Sequence, residues 1–173
     1  GNVSFGGTLD GTKVLNIVAG GAGQVVFTGQ VGNATPLASL NIASATAVDA
    51  LSTVEIDGSS VSLDGLRIGA GVNNVNIAQP GSVIENANQA AIVVVGGTTN
   101  SAIAGFAISG NGGSGFRGLQ GDYAGTTVSN LTINGTGYGV YLNGARGVTV
   151  GGVGAAGVSV TNTGYGLYAT GNL

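Results

Sequence analysis

The chain has 173 residues, enough for one domain with a real core, yet only 6% of them are charged, against roughly 25% in an ordinary globular domain. Cys, Met, Trp and His are absent, which excludes disulfides, zinc or haem sites of the usual kind and any His- or Cys-based catalysis. Four basic residues, Lys13, Arg67, Arg117 and Arg146, against seven acidic ones give a net charge of −3, so no basic patch for nucleic acid can be built.

Hydrophobic residues reach 43% with a mean hydropathy of +0.41, which sets the chain apart from disordered, weakly hydrophobic sequences. Gly is 36 of 173, about three times ordinary usage. The longest apolar run is AAIVVV at 90–95, far short of the ~20 residues of a membrane span. No cofactor or metal ligand set is evident. The lack of Cys fits an exported bacterial protein better than a small eukaryotic secreted domain. No signal peptide is visible and the chain starts at Gly1 without Met, as a processed or excised piece would.

In chain order, residues 2–17 and 24–42 form a loose repeat. Phe5 matches Phe27, and Leu15-Asn16-Ile17 matches Leu40-Asn41-Ile42 at a slightly longer offset, after an insertion around Pro36. From residue 50 come short runs with apolar residues two apart: VEI (54–56), VSL (61–63), LRI (66–68), VNI (75–77), SVIE (82–85), IVVV (92–95) and FAI (106–108). LTI (131–133), VYL (140–142), VTV (148–150), VSV (158–160) and LYA (167–169) complete the series. Such period-2 segments, punctuated by Gly, Asn, Asp, Ser or Thr, predict strands. The best helical candidate, ENANQAAIVVV at 85–95, ends in a β-branched run and reads as turn plus strand. GSGFRGLQGDYAG, with Arg117 and Asp122, reads as the longest irregular loop.

The C-terminal third nearly repeats itself. LTINGTGYGVYLNG (131–144) is followed by VSVTNTGYGLYATG (158–171) at a constant offset, which carries Thr136 to Thr163, Tyr138 to Tyr165 and Tyr141 to Tyr168. A repeat of that length implies that one copy stacks on the next. Three strands and three turns then make one coil, each strand pairing in parallel with the next lap about 4.8 Å away. Corners need residues with φ > 0, which accounts for Gly and Asn at the bends. The sequence predicts an all-β solenoid spanning 1–173, with about seven coils of roughly 22–27 residues and a length of about 30 Å. Asn16 should stack under Asn41 in an amide ladder, Tyr141 under Tyr168 on the exterior, and Tyr138 under Tyr165 near a corner.

Segments such as VSLDGLRI, IAGFAISGNGGSGF and VSNLTINGTGYGVYLNG resemble right-handed parallel β-helices of the pectate-lyase-like type. Residues 1–49, with VVFTGQVGNATPLASLNI, are similar to repeats of large bacterial haemagglutinin-like surface adhesins, and 50–173 to pectate-lyase-like coils. The resemblance implies a single-stranded right-handed β-helix, a scaffold that carries lyases, hydrolases, tailspikes and passive stalks alike. The NTD, GHG and RIK motifs of the enzymes are missing, so no catalytic residue is carried over.

Candidate side chains are few. Glu55 and Asp57 share one strand face, with Asp64 and Arg67 nearby, and a sugar hydrolase or lyase would need such carboxylates. Asp57-Gly58 and Asp64-Gly65 are also turn dipeptides, and that structural role is favoured. Arg117 and Asp122 read as a local ion pair or a loop site. Tyr138, Tyr141, Tyr165 and Tyr168 could serve as a sugar platform, a subunit contact or a sheet cover. The closely spaced glycines of GAGVNN, GNGGSG and GGVGAAG lack a following Lys-Ser/Thr helix and read as corners. The sequons at Asn2, Asn33, Asn130 and Asn134 are of the kind an Asn/Thr-rich chain produces by chance.

Neither terminus reads as a polar cap, which a free solenoid needs. The chain is therefore expected to be cut from a longer stalk or to polymerise end to end. The functional expectation is an extracellular or cell-surface rod or filament module, adhesin-like and not an enzyme. It would self-associate end to end and meet cell-surface or matrix polysaccharide. The alternatives are a polysaccharide-active enzyme and, third, a carbohydrate-binding module.

Overall fold

The computed structural model describes residues 1–60, 63–69, 72–95, 98–110, 113–152 and 157–170, with no account of the side chains of 20–22, 44 and 60. Every pairing between its strands is parallel, and they wind as a β-solenoid with three faces. The first face stacks the leading halves of β2 (Val14–Phe27) and β3 (Ser39–Ala50), then β5 (Leu66–Ile68), β8 (Ala90–Val94), β11 (Ser114–Gly118), β14 (Tyr138–Asn143) and β17 (Tyr165–Thr170). The second stacks β1 (Val3–Phe5), the trailing halves of β2 and β3, β6 (Val75–Ile77), β9 (Ala102–Ala104), β12 (Gly121–Ser129) and β15 (Ala145–Val150). The third runs through single bridges at Leu9, Val31 and Val54 into β4 (Glu55–Asp57), β7 (Ser82–Glu85), β10 (Phe106–Ser109), β13 (Leu131–Asn134) and β16 (Val158–Thr161).

Each face of seven rungs encloses six steps, and the solenoid makes about six turns where chain length over lap length predicts about seven. Lap length varies along the chain, from the short lap that carries Val3 to Val25 to the long one that carries Ile56 to Ile84. The predicted registers hold: Phe5 pairs with Phe27, Asn16 with Asn41, Tyr138 with Tyr165 and Tyr141 with Tyr168. The expected turn-plus-strand at 85–95 is β7, a turn, and β8. Of the expected strand at 61–63, residues 61 and 62 lie outside the described residues, as do parts of the three glycine-rich corners.

One expectation fails. The stretch read as an irregular loop is β11 and β12, strands on the first and second faces. Its glycines hide the period-2 pattern, and at Gly113 and Gly115 packing requires them. A Cβ on Gly115 would come 2.6 Å from Ile133 Cγ2 and 2.8 Å from the Gly139 carbonyl oxygen. The short distance between the third and first faces leaves no room for a side chain there. β9 (AIA) is likewise a strand that alternation alone does not single out.

The core is three apolar columns, one from each face. Leu40, Leu66, Ile92, Phe116 and Val140 form the first, Ala50, Ile77, Ile103 and Val128 the second, Ile56, Ile84, Ile108 and Ile133 the third. All are buried, at 2% exposure or less. Burial of apolar area contributes about 25 cal/mol per Å2, so these continuous columns supply the main driving force. Corner columns recur with left-handed residues in successive laps. Between the first and second faces these are Asn74, Asn100, Gly125 and Gly147, with φ from 49° to 73°. Every non-Gly residue found at positive φ among those described is Asn, whose short amide tolerates that region.

Several buried polar groups are paired across rungs, whereas Thr98 Oγ1 and Arg117 Nε are buried without a hydrogen-bond partner. The Val54 N–H donates to Ser82 Oγ at 3.1 Å and the Val75 N–H to Ser101 Oγ at 2.8 Å, and both serines are buried. The Tyr123 hydroxyl, buried in β12, has two acceptors for its one proton, the carbonyls of Leu119 at 2.6 Å and Val94 at 2.9 Å.

Candidate functional site

In β14 Val140 and Leu142 are buried and Tyr141 between them points outward by alternation. Gly139 and Val140 are buried in succession, and this break in the alternation puts Tyr138 beside Tyr141, as the same register puts Tyr165 beside Tyr168 in β17. The four tyrosines form a two-by-two grid on the first face. Between rungs, Tyr138 and Tyr165 have centroids 5.1 Å apart at 12°, and Tyr141 and Tyr168 have centroids 5.2 Å apart at 8°. Near-parallel rings at that separation are offset, so part of each ring face stays uncovered. Within rungs the pairs are edge-to-face, at 5.2 Å for Tyr138–Tyr141 and 5.9 Å for Tyr165–Tyr168. The small residue between the tyrosines is forced. A Cβ on Gly139 would collide with Val160 Cγ1 and lie 2.5 Å from the Gly166 carbonyl oxygen. The preceding Thr136 is buried and its hydroxyl donates to the Tyr138 carbonyl at 2.7 Å. Packing thus explains the glycine and the threonine of the TGYG segment at 136–139.

The rung below the grid breaks the pattern. β11 places Arg117 under Tyr141 and Ser114 under Tyr138. The Arg117 guanidinium carbon lies 5.4 Å from the centroid of the Tyr141 ring, a cation–π contact. Its Nε is buried with no hydrogen-bond partner, and among the described residues no carboxylate pairs with it. The expected ion pair with Asp122 is therefore not formed; Asp122 Oδ1 accepts instead from the Ala124 N–H at 3.1 Å. The two side chains belong to different faces, one on β11 and one on β12. Where Ser114 replaces a ring, a cavity of about 270 Å3 opens, lined by Gly113, Ser114, Arg117, Tyr138 and Tyr141.

Arg117 was legible as a loop residue and not as part of this grid. A signal existed: SGFR at 114–117 aligns with YGVY at 138–141 and YGLY at 165–168 once Gly115 is matched to Gly139 and Gly166.

The carboxylates are dispersed and locally engaged. Glu55 and Asp57 do share a face of β4, on the third side of the solenoid. Asp57 Oδ1 accepts from the Ser59 N–H at 3.0 Å and the Asn86 amide at 3.2 Å. The Ser59 bond, then the Asn86 bond, hold its carboxyl below the usual value, against the opposing effect of partial burial. Asp64, 9% exposed, accepts from the Ala90 N–H at 3.1 Å and from Arg67 Nη1 at 3.0 Å. No group of three acidic or metal-ligating side chains forms among the described residues. An open groove of about 640 Å3 on the second face is lined partly by Asp49, Asn74 and Asn76. There Asn76 Nδ2 donates to Asp49 Oδ1 at 3.2 Å and Asn74 Nδ2 to the Thr46 carbonyl at 3.1 Å, so these polar groups satisfy one another. The sequon residue Asn134 is also engaged, accepting from Asn162 Nδ2 at 2.8 Å.

No protein-family model, no curated protein and no solved structure matches this chain. Among the described residues no helix is long and apolar enough to cross a membrane.

Proposed function

We propose that this chain is an extracellular structural rod or filament module of adhesin-like type. The observation that carries the proposal is the continuous register of the first face, with the register shifts confined to the bend of β2 against β3 and to β12 against β15. The same columns run through seven rungs of the first face, and most side-chain hydrogen bonds join residues one lap apart, as Asn41 joins Asn16 and Asn162 joins Asn134. Such a body transmits load along its axis and needs no chemistry from its side chains. Asp57 and Asp64 serve the backbone of turns and of the neighbouring lap.

In the filament form of this reading, a further rung seats on β17, where Leu167 is 64% exposed while its column neighbour Val140 is 2% exposed. That rung comes from a second copy. Electron microscopy and sedimentation velocity across a wide concentration range test the assembly, with end-to-end growth expected. Uniform monomers at high concentration remove the self-assembling form. Turnover of any bacterial or plant polysaccharide by the purified protein removes the structural reading altogether.

A further inference from the structure

We propose that the slot beneath Tyr138 binds a pyranose ring bearing one anionic group, with the ring against Tyr138 and the anion on Arg117. The site stands independently of the rod reading.

The slot is a missing rung of the aromatic stack. Tyr165 covers one face of Tyr138, but the register partner on the other side is Ser114, whose side chain is too small to reach over the ring. The cavity left there, about 270 Å3, lies just below the range of drug-sized pockets and suits a single ring. An aromatic face offers apolar contact to the C–H face of a sugar while polar groups at the rim address its hydroxyls.

Arg117 supplies the selectivity. Guanidinium forks bind carboxylate or sulfate in two parallel hydrogen bonds, and Arg117 has no such partner within the described residues. The contrast with Arg67 is informative. That guanidinium, two rungs away in the same outward column, is already neutralised by Asp64 at 3.0 Å. The Tyr141 ring holds the Arg117 guanidinium in place without consuming its hydrogen bonds. A charge positioned by a ring, beside an open ring face, is a recognition element for a ligand with both features.

The test uses the intact chain and observes the Tyr138 ring by NMR while titrating glucuronate, glucose 6-sulfate, glucose, inorganic sulfate and benzoate. Either anionic sugar should bind about tenfold tighter than glucose, the worth of one charge-assisted pair. Arg117→Gln should erase that preference while Arg67→Gln keeps it. Ser114→Tyr, which fills the slot with a third ring and preserves the stack, should block both sugars without lowering thermal stability. That variant keeps the test decisive even if Arg117→Gln loosens the fold. Binding of inorganic sulfate as tight as that of the anionic sugars, or of benzoate tighter than glucuronate, would overturn the sugar assignment. Absence of any shift at Tyr138 in folded protein would overturn the site.

Discussion

Asn130 sits at a corner with φ of 49°, a conformation that costs most residues about 1–2 kcal/mol and glycine nothing. Asn130→Gly should leave the urea midpoint nearly unchanged, and Asn130→Val should lower stability by about 1–2 kcal/mol. At Gly139 the constraint is space, because Val160 Cγ1 and the Gly166 carbonyl occupy the position of a Cβ. Gly139→Ala should cost about 1–3 kcal/mol in equilibrium unfolding, and the stacked pair Tyr138–Tyr165 should shift in near-UV dichroism. Asp57 titrates below its ordinary value because Ser59 and Asn86 donate to the ionised form. Its stabilising effect is complete above the unfolded value of 3.8 and is lost as pH falls through the lower folded value. Stability of Asp57→Asn should therefore depend less on pH in that acidic window, and an identical acid limb in both proteins would contradict the assignment.

An isolated strand of three to five residues gains little from pairing, and β5, β6 and β9 have three residues each. Their stability comes from the column above and below. Ile92 lies mid-column between Leu66 and Phe116 with no exposure. Ile92→Ala should destabilise by about 2–5 kcal/mol in thermal or denaturant unfolding, the range for a buried aliphatic cavity. Exposed ladder contacts are worth far less. Asn41 Nδ2 donates to Asn16 Oδ1 at 2.8 Å in solvent, and Asn41→Ala should cost about 0.5–1 kcal/mol. The element scale also shows where sequence reading failed. β11 reads SGFRG, and two glycines in five positions erase the alternation that marked its neighbours, although packing against Ile133 and the Gly139 carbonyl demands the first of them.

Across the whole molecule each rung contacts only its neighbours, so stability is close to a sum over rungs and interfaces. Amide exchange should be slowest in the middle laps, around β5, β8 and β11, and fastest in β1 and β17, measured by exchange mass spectrometry. Uniform protection from end to end would imply a cooperativity that nearest-neighbour stacking does not provide.

The sequence by itself determined the lap. Its repeats set which side chains become vertical neighbours, and Phe5 over Phe27, Asn16 beside Asn41 and the tyrosine pairs all follow from that spacing. Self-similarity suffices there because parallel stacking brings like onto like. Only the tertiary structure decided what lies under the grid. The glycine shared by SGFR, YGVY and YGLY aligns the three rungs, but Arg117 and Ser114 differ from the tyrosines above them, and similarity carries no information about what unlike residues do in a stack. The slot exists because two unlike residues face two tyrosines across one step of the ladder, a relation set by the fold's register and visible only once the chain has wound.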